Sequence, residues 1–183
     1  MVPYLELPNI RFVFPHAPVR KVTINAGYAM RAWYDITTLG ESASRENAAH
    51  IEEATESVES LIKAEYERGI TSERLVLAGF SQGAAMALHV GRRHAKPLAG
   101  VMCLSGYLLL ENQPVSVSKN AKTPTLFCHG EYDEVVPRAR GRRAFETLAS
   151  ENPNCAWHTY PMGHEVHPAE VVTIREWLGA RFS

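Results

Sequence analysis

Short apolar runs alternate along the chain with longer segments in which apolar residues recur every three or four positions. The run 11–14 (Arg-Phe-Val-Phe), stopped by Pro15 and Pro18, predicts a first strand. Over 44–68, Ile51, Ala54, Val58, Leu61 and Ile62 fall at helical spacing and Gly69 follows as a stop, which predicts an amphipathic helix. The run 74–78 predicts a second strand, and an alanine-rich helix from Gln82 to about His94 follows it. Strands are predicted again over 98–104, over 125–128 behind Pro124, and over 155–160. Between and after them lie a helix over 137–149, with Pro137 at its first turn, and a closing helix over 168–180 through Val171, Val172, Ile174, Trp177 and Leu178. Strands alternating with helices specify parallel βαβ units, hence an α/β fold whose sheet carries helices on both faces. The stretches 15–43 and 105–123 show little periodicity and read as loops, of a length that is often functional.

Composition narrows the class. At 183 residues, 45% hydrophobic and 21% charged, the chain has the make-up of an ordinary globular protein and room for one core, so residues 1–183 read as a single domain. A net charge of −1 gives no reason to expect a polyanion, and Arg138, Arg140, Arg142 and Arg143 read as a solvated helix face, which disfavours nucleic acid as a partner. The three cysteines are odd in number and form no Cys-x-x-Cys pair, which argues against a disulfide framework or a zinc site. No signal peptide or span-length apolar window is visible, so a cytoplasmic location is expected.

Chemistry enters at Gly79-Phe80-Ser81-Gln82-Gly83, a Gly-x-Ser-x-Gly turn set between a predicted strand and a predicted helix. A serine hydroxyl needs a base to take its proton and an acid to orient that base. Two further groups follow strands in the order Ser, acid, His. His129-Gly130-Glu131-Tyr132-Asp133 follows the fourth predicted strand, and Pro161-Met162-Gly163-His164 follows the fifth. Strand carboxyl ends are where open α/β sheets meet ligands. His164 fits the base; Glu131, Asp133 and Glu134 all remain eligible as the acid. His164 and His167 stand three apart but have no evident third ligand, so no metal is expected.

With these residues in view, the whole chain resembles the phospholipase/carboxylesterase family of bacterial carboxylesterases and acyl-protein thioesterases. The blocks that carry the resemblance are Phe14-Pro15-His16-Ala17-Pro18, Ala32-Trp33-Tyr34-Asp35-Ile36, Ala78-Gly79-Phe80-Ser81-Gln82-Gly83, Leu104-Ser105-Gly106-Tyr107, His129-Gly130-Glu131-Tyr132-Asp133 and Met162-Gly163-His164. The resemblance implies an α/β-hydrolase fold, Ser81, Asp133 and His164 as a catalytic triad, and the Gln82 backbone amide as an oxyanion donor. It also implies Tyr107 and Val135 in the acyl site and Trp33 on a flanking loop. The activity implied is hydrolysis of a small or lipid-like carboxylic ester, or of a thioester, through an acyl-enzyme and without a cofactor. Ala84 and Leu109 stand where the family commonly has Gly and Pro.

One family feature is not found. A second oxyanion donor is expected from a His-Gly-Leu-Gly-like loop ahead of the nucleophile, yet the first glycine is Gly27 and the sole His-Gly pair is His129-Gly130. Relative to the family the fold is therefore expected to be N-terminally truncated and catalytically impaired, with a non-catalytic binding protein as the alternative reading. The strands at 11–14 and 74–78 should then either pair directly or leave ladder edges open, and an open edge would favour a homodimer.

Overall fold

The computed structural model of the chain describes residues 2–37, 46–111, 113 and 118–182. Its elements in chain order are β1 (Val19–Val22), β2 (Tyr28–Arg31), α1 (Ala48–Glu67), β3 (Val76–Phe80), α2 (Gln82–Arg93), β4 (Gly100–Leu104), β5 (Thr125–Gly130), α3 (Arg138–Ala149), β6 (Cys155–Tyr160) and α4 (Pro168–Phe182).

The strands β3-β4-β5-β6 form a parallel sheet in that order. Alternate residues of a strand address opposite faces, and the packing follows that rule. Val101, Cys103 and Phe127 meet Ala84, Ala87 and Leu88 of α2 and Ala144 of α3 on one face. Met102, Leu104, Leu126 and Cys128 meet Ile174 and Leu178 of α4, together with Leu5, on the other. Because both faces are covered, every residue of β4 and β5 is buried, which is why residues 101–104 and 126–128 are continuously apolar. Outside this layer, Ile51, Ala54 and Ile62 of α1 pack on Ala85, Met86 and Val90 of α2 around the fully buried Tyr34. Helix α1 starts at Ala48 because the Asn47 side chain accepts the His50 amide at 3.1 Å. Ser44 and Arg45, the first residues of the helix expected from periodicity, lie outside the described residues.

Two expectations are corrected. Residues 11–14 form no strand. Phe12 leans on the α4 side of the core while Val13 and Phe14 face solvent, and among the described residues no strand takes up their backbone groups. Direct pairing between this run and β3 is therefore not realised. The second correction is that 15–43 is more than a loop, because β1 and β2 pair antiparallel from Val19↔Arg31 to Val22↔Tyr28. Ala26 and Gly27, both at positive φ, turn the hairpin. Of these two strands only Val22 is buried, so there is no inner face to write an alternation into the sequence. Strand β3 also runs two residues further than expected, to Phe80, whose pairing with Leu104 carries the ladder up to Ser81.

Candidate active site

Ser81 caps α2 at the carboxyl end of β3, with φ 55° and ψ −120°. A non-glycine residue there stores about 1–3 kcal/mol of strain. The surrounding ladder holds it: the Ser81 amide donates to Leu104 O at 2.9 Å, and its carbonyl accepts from Ala84 and Ala85 at 3.0 and 3.1 Å. The Gly83 backbone approaches Gly79 across the turn within the space a β-carbon on Gly79 would need, which is what fixes glycine at position 79. The first amides of a helix lack intrahelical acceptors. Accordingly, the Gln82 amide has no partner among the described residues.

His164 stands on the turn after β6. Its Nε2 lies 2.8 Å from Ser81 Oγ and its Nδ1 2.8 Å from Asp133 Oδ2. The turn is drawn against the end of β5 by the Tyr132 amide, which donates to Met162 O at 3.1 Å. There Gly130 lets the Met162 and Gly163 carbonyls approach within the space a β-carbon would need. The Phe80 ring lies 4.7 Å from the imidazole, centroid to centroid.

Among the three carboxylates near 131–134, Asp133 is the one that reaches His164. Its Oδ1 accepts the amides of Val135 and Val136 at 3.0 and 2.8 Å, leaving Oδ2 for the imidazole. Glu131 instead accepts from Thr159 Oγ1, and Glu134 is exposed. His129, which the sequence places ahead of the acid without marking it for a role, also belongs to this turn. Burial lowers its pKa, so the ring is held neutral with one N–H to give. That N–H, on Nε2, donates to Val136 O at 2.9 Å, and Nε2 also lies 3.6 Å from Asp133 Oδ2. His129 thus ties down the far end of the Asp133 turn. Its position at the end of the predicted strand and four residues before Asp133 was the available signal.

The remaining expected residues divide. Trp33 is half-buried, with Nε1 3.9 Å from where a β-carbon on Gly83 would stand, so its side chain borders the Ser81 turn. Tyr107 is buried in the core, its hydroxyl 2.6 Å from Tyr34 OH and its ring 3.6 Å beneath the Arg140 guanidinium. Val135 is 45% exposed and enters the site through its amide on Asp133. His167 turns away from the imidazole of His164 to accept the Ala169 amide at the start of α4. Together these groups can move a proton from a serine hydroxyl to an imidazole, beside a helix amide free to bind a developing negative charge.

Comparison with known proteins gives a consistent picture. The family described as phospholipase/carboxylesterase matches residues 2–181. Acyl-protein thioesterase 1 of Gibberella zeae is 36% identical over 182 residues, which span 94% of this chain and 77% of that protein. Acyl-protein thioesterase 1 homolog 1 of Dictyostelium discoideum is 39% identical over 173 residues, 93% of this chain and 76% of that one. Among solved structures, Arabidopsis thaliana SOBER1 superposes with a TM-score of 0.88 at 28% identity, covering 99% of this chain and 90% of that one. Zea mays acyl-protein thioesterase 2 superposes at 0.80 and 25% identity, covering 97% and 84%.

Proposed function

This chain belongs to the phospholipase/carboxylesterase family, and from that premise we propose that it is a serine hydrolase cleaving carboxylic esters and thioesters through an acyl-enzyme on Ser81. The observation that carries the reading is the continuous hydrogen-bonded line from Asp133 through His164 to Ser81 Oγ, with both links at 2.8 Å. His164 Nε2 takes the hydroxyl proton as Ser81 attacks the carbonyl carbon, then returns it to the departing alkoxide or thiolate. Asp133 accepts the Nδ1 proton, holding the ring in the tautomer that leaves Nε2 free to act as base. The Gln82 amide binds the oxyanion; one such donor is worth about 10²–10³ in turnover. Water, activated by the same imidazole, then releases the acid.

The thioester half of the proposal draws on the relatives, which are named acyl-protein thioesterases. A fold kept only for binding is not favoured by that company. A fluorophosphonate probe is expected to label Ser81, and labelling should disappear in Ser81→Ala and His164→Ala. Absence of labelling in folded wild-type protein, or undiminished labelling in His164→Ala, would overturn the assignment.

A further inference from the structure

The Gln82 side chain does something its backbone role does not require. Its Oε1 accepts the Trp33 amide at 2.6 Å and its Nε2 donates to Tyr34 O at 2.8 Å. A single amide group thus pairs with an N–H and a C=O lying 49 and 48 residues away, and only one orientation of the amide satisfies both. The next anchor on the same segment is the Tyr34 ring, fully buried with its hydroxyl 2.6 Å from Tyr107 OH. Trp33 is left as the half-buried side chain of this arm, facing Gly83 at the base of the nucleophile turn.

We propose that the Gln82 side chain is a positioning residue that locks the Trp33–Tyr34 arm to the nucleophile turn, making Trp33 a fixed wall that sets the length of acyl chain accepted beside Ser81. The acyl-length half of this inference rests on the reading of Ser81 as the nucleophile. Other ties hold the arm's flanks without reference to the serine. The Ala32 amide donates to Pro18 O at 3.0 Å, Arg20 Nε donates to Ala32 O at 3.0 Å, and the Asp35 amide donates to His50 Nδ1 at 3.2 Å. Removing the Gln82 bonds therefore leaves the arm attached to the protein but out of register with the site. The requirement is specific to glutamine: asparagine is too short, glutamate at neutral pH lacks the donor for Tyr34 O, and methionine fills the space with neither bond.

The test uses Gln82→Met and Gln82→Glu, which keep the backbone amide. A chain-length series of p-nitrophenyl esters is read as separate kcat and KM values. Protein grown with 5-fluorotryptophan is followed by ¹⁹F NMR, the Trp33 signal being assigned from Trp33→Phe. In Gln82→Met the Trp33 resonance is expected to shift and broaden, and KM for the octanoate to rise about tenfold against about twofold or less for the acetate. Gln82→Glu, which keeps one of the two bonds, should fall between wild type and Gln82→Met. An equal change in KM for both esters, or an unmoved Trp33 resonance, would overturn the proposal. If wild-type Ser81 takes no fluorophosphonate, the hydrolase reading falls on that result, and the Trp33 resonance decides the clamp by itself.

Discussion

At Gly79 one methyl group decides whether the Ser81 turn can close. A β-carbon there would stand 2.1 Å from the Gly83 carbonyl carbon and oxygen and 2.5 Å from the Ala84 nitrogen, all of them backbone atoms at the start of α2. No side chain can swing aside to make room, so Gly79→Ala is expected to cost about 3 kcal/mol or more and to abolish labelling of Ser81. Urea unfolding measures the cost, and Gly83→Ala is the control, since its β-carbon would meet Trp33 Nε1 at an ordinary 3.9 Å. A wild-type midpoint for Gly79→Ala would refute the steric account. This constraint was legible in the sequence, because a serine flanked by glycines between a strand and a helix is a local pattern. Which carboxylate reaches His164 was not legible from the residues alone. Glu131, Asp133 and Glu134 look alike on paper, and what separates them is that the short aspartate side chain folds back onto two amides of its own turn. The Gln82 clamp left no sequence signal at all, since its partners stand nearly fifty residues upstream.

Elements were readable in proportion to how deeply they are buried. Strands β4 and β5 and helix α2 face the core, and burial wrote their apolar patterns; the hairpin β1–β2 faces solvent and wrote none. The run 11–14 misled because Phe-Val-Phe has strand composition but, among the described residues, no strand to pair with. Helix α4 holds a testable anomaly. Glu170, in its first turn, has no exposed surface; Oε2 accepts the His167 amide at 3.3 Å and Oε1 has no partner among the described residues. Burial raises this carboxyl to about 7. An unfolded glutamate titrates near 4.3, so between about 4.3 and 7 the folded state holds the extra proton. The stability this supplies is complete below the unfolded value and is lost as pH rises through the folded one, with a ceiling of about 4 kcal/mol. Glu170→Gln keeps an acceptor for His167 and cannot ionise. Its melting temperature should therefore exceed wild type at pH 8.5 by clearly more than at pH 5. The same difference at both pH values would show that Glu170 is not titrating in this range.

At the scale of the molecule, the sequence indicated a parallel sheet with helices on both faces, while strand order and the state of the sheet's edges lay beyond it. Periodicity reports which face of a strand is buried and carries no information about its lateral neighbours. The consequence is seen at β3. Leu75 O accepts from Ala99 and the Ser81 amide donates to Leu104, so alternate residues address β4 and the backbone groups of Val76, Ala78 and Phe80 point the other way. Among the described residues no strand pairs with that side, and Ala78 and Phe80 are exposed in a sheet whose middle strands are wholly buried. An open edge of this kind is a template for a second chain. The net charge offers little resistance, being −1 with an isoelectric point near 6.7. Self-association is therefore expected to grow with protein concentration, to be strongest near pH 6.7, and to weaken at pH 8.5 as negative charge accumulates. Ala78→Lys should suppress it, because a lysine on the exposed strand puts like charges opposite one another in any edge-to-edge pair while its long side chain reaches water. Light scattering coupled to size exclusion, run over a concentration series at both pH values, reads the outcome directly. A wild-type protein that stays monomeric at every concentration at pH 6.7 would mean that the β3 edge is protected. An Ala78→Lys protein that associates as strongly as wild type would move the contact to another surface, and the exposed apolar side chains of the hairpin, Tyr28 and Met30 on one face and Val19 on the other, are the next to test.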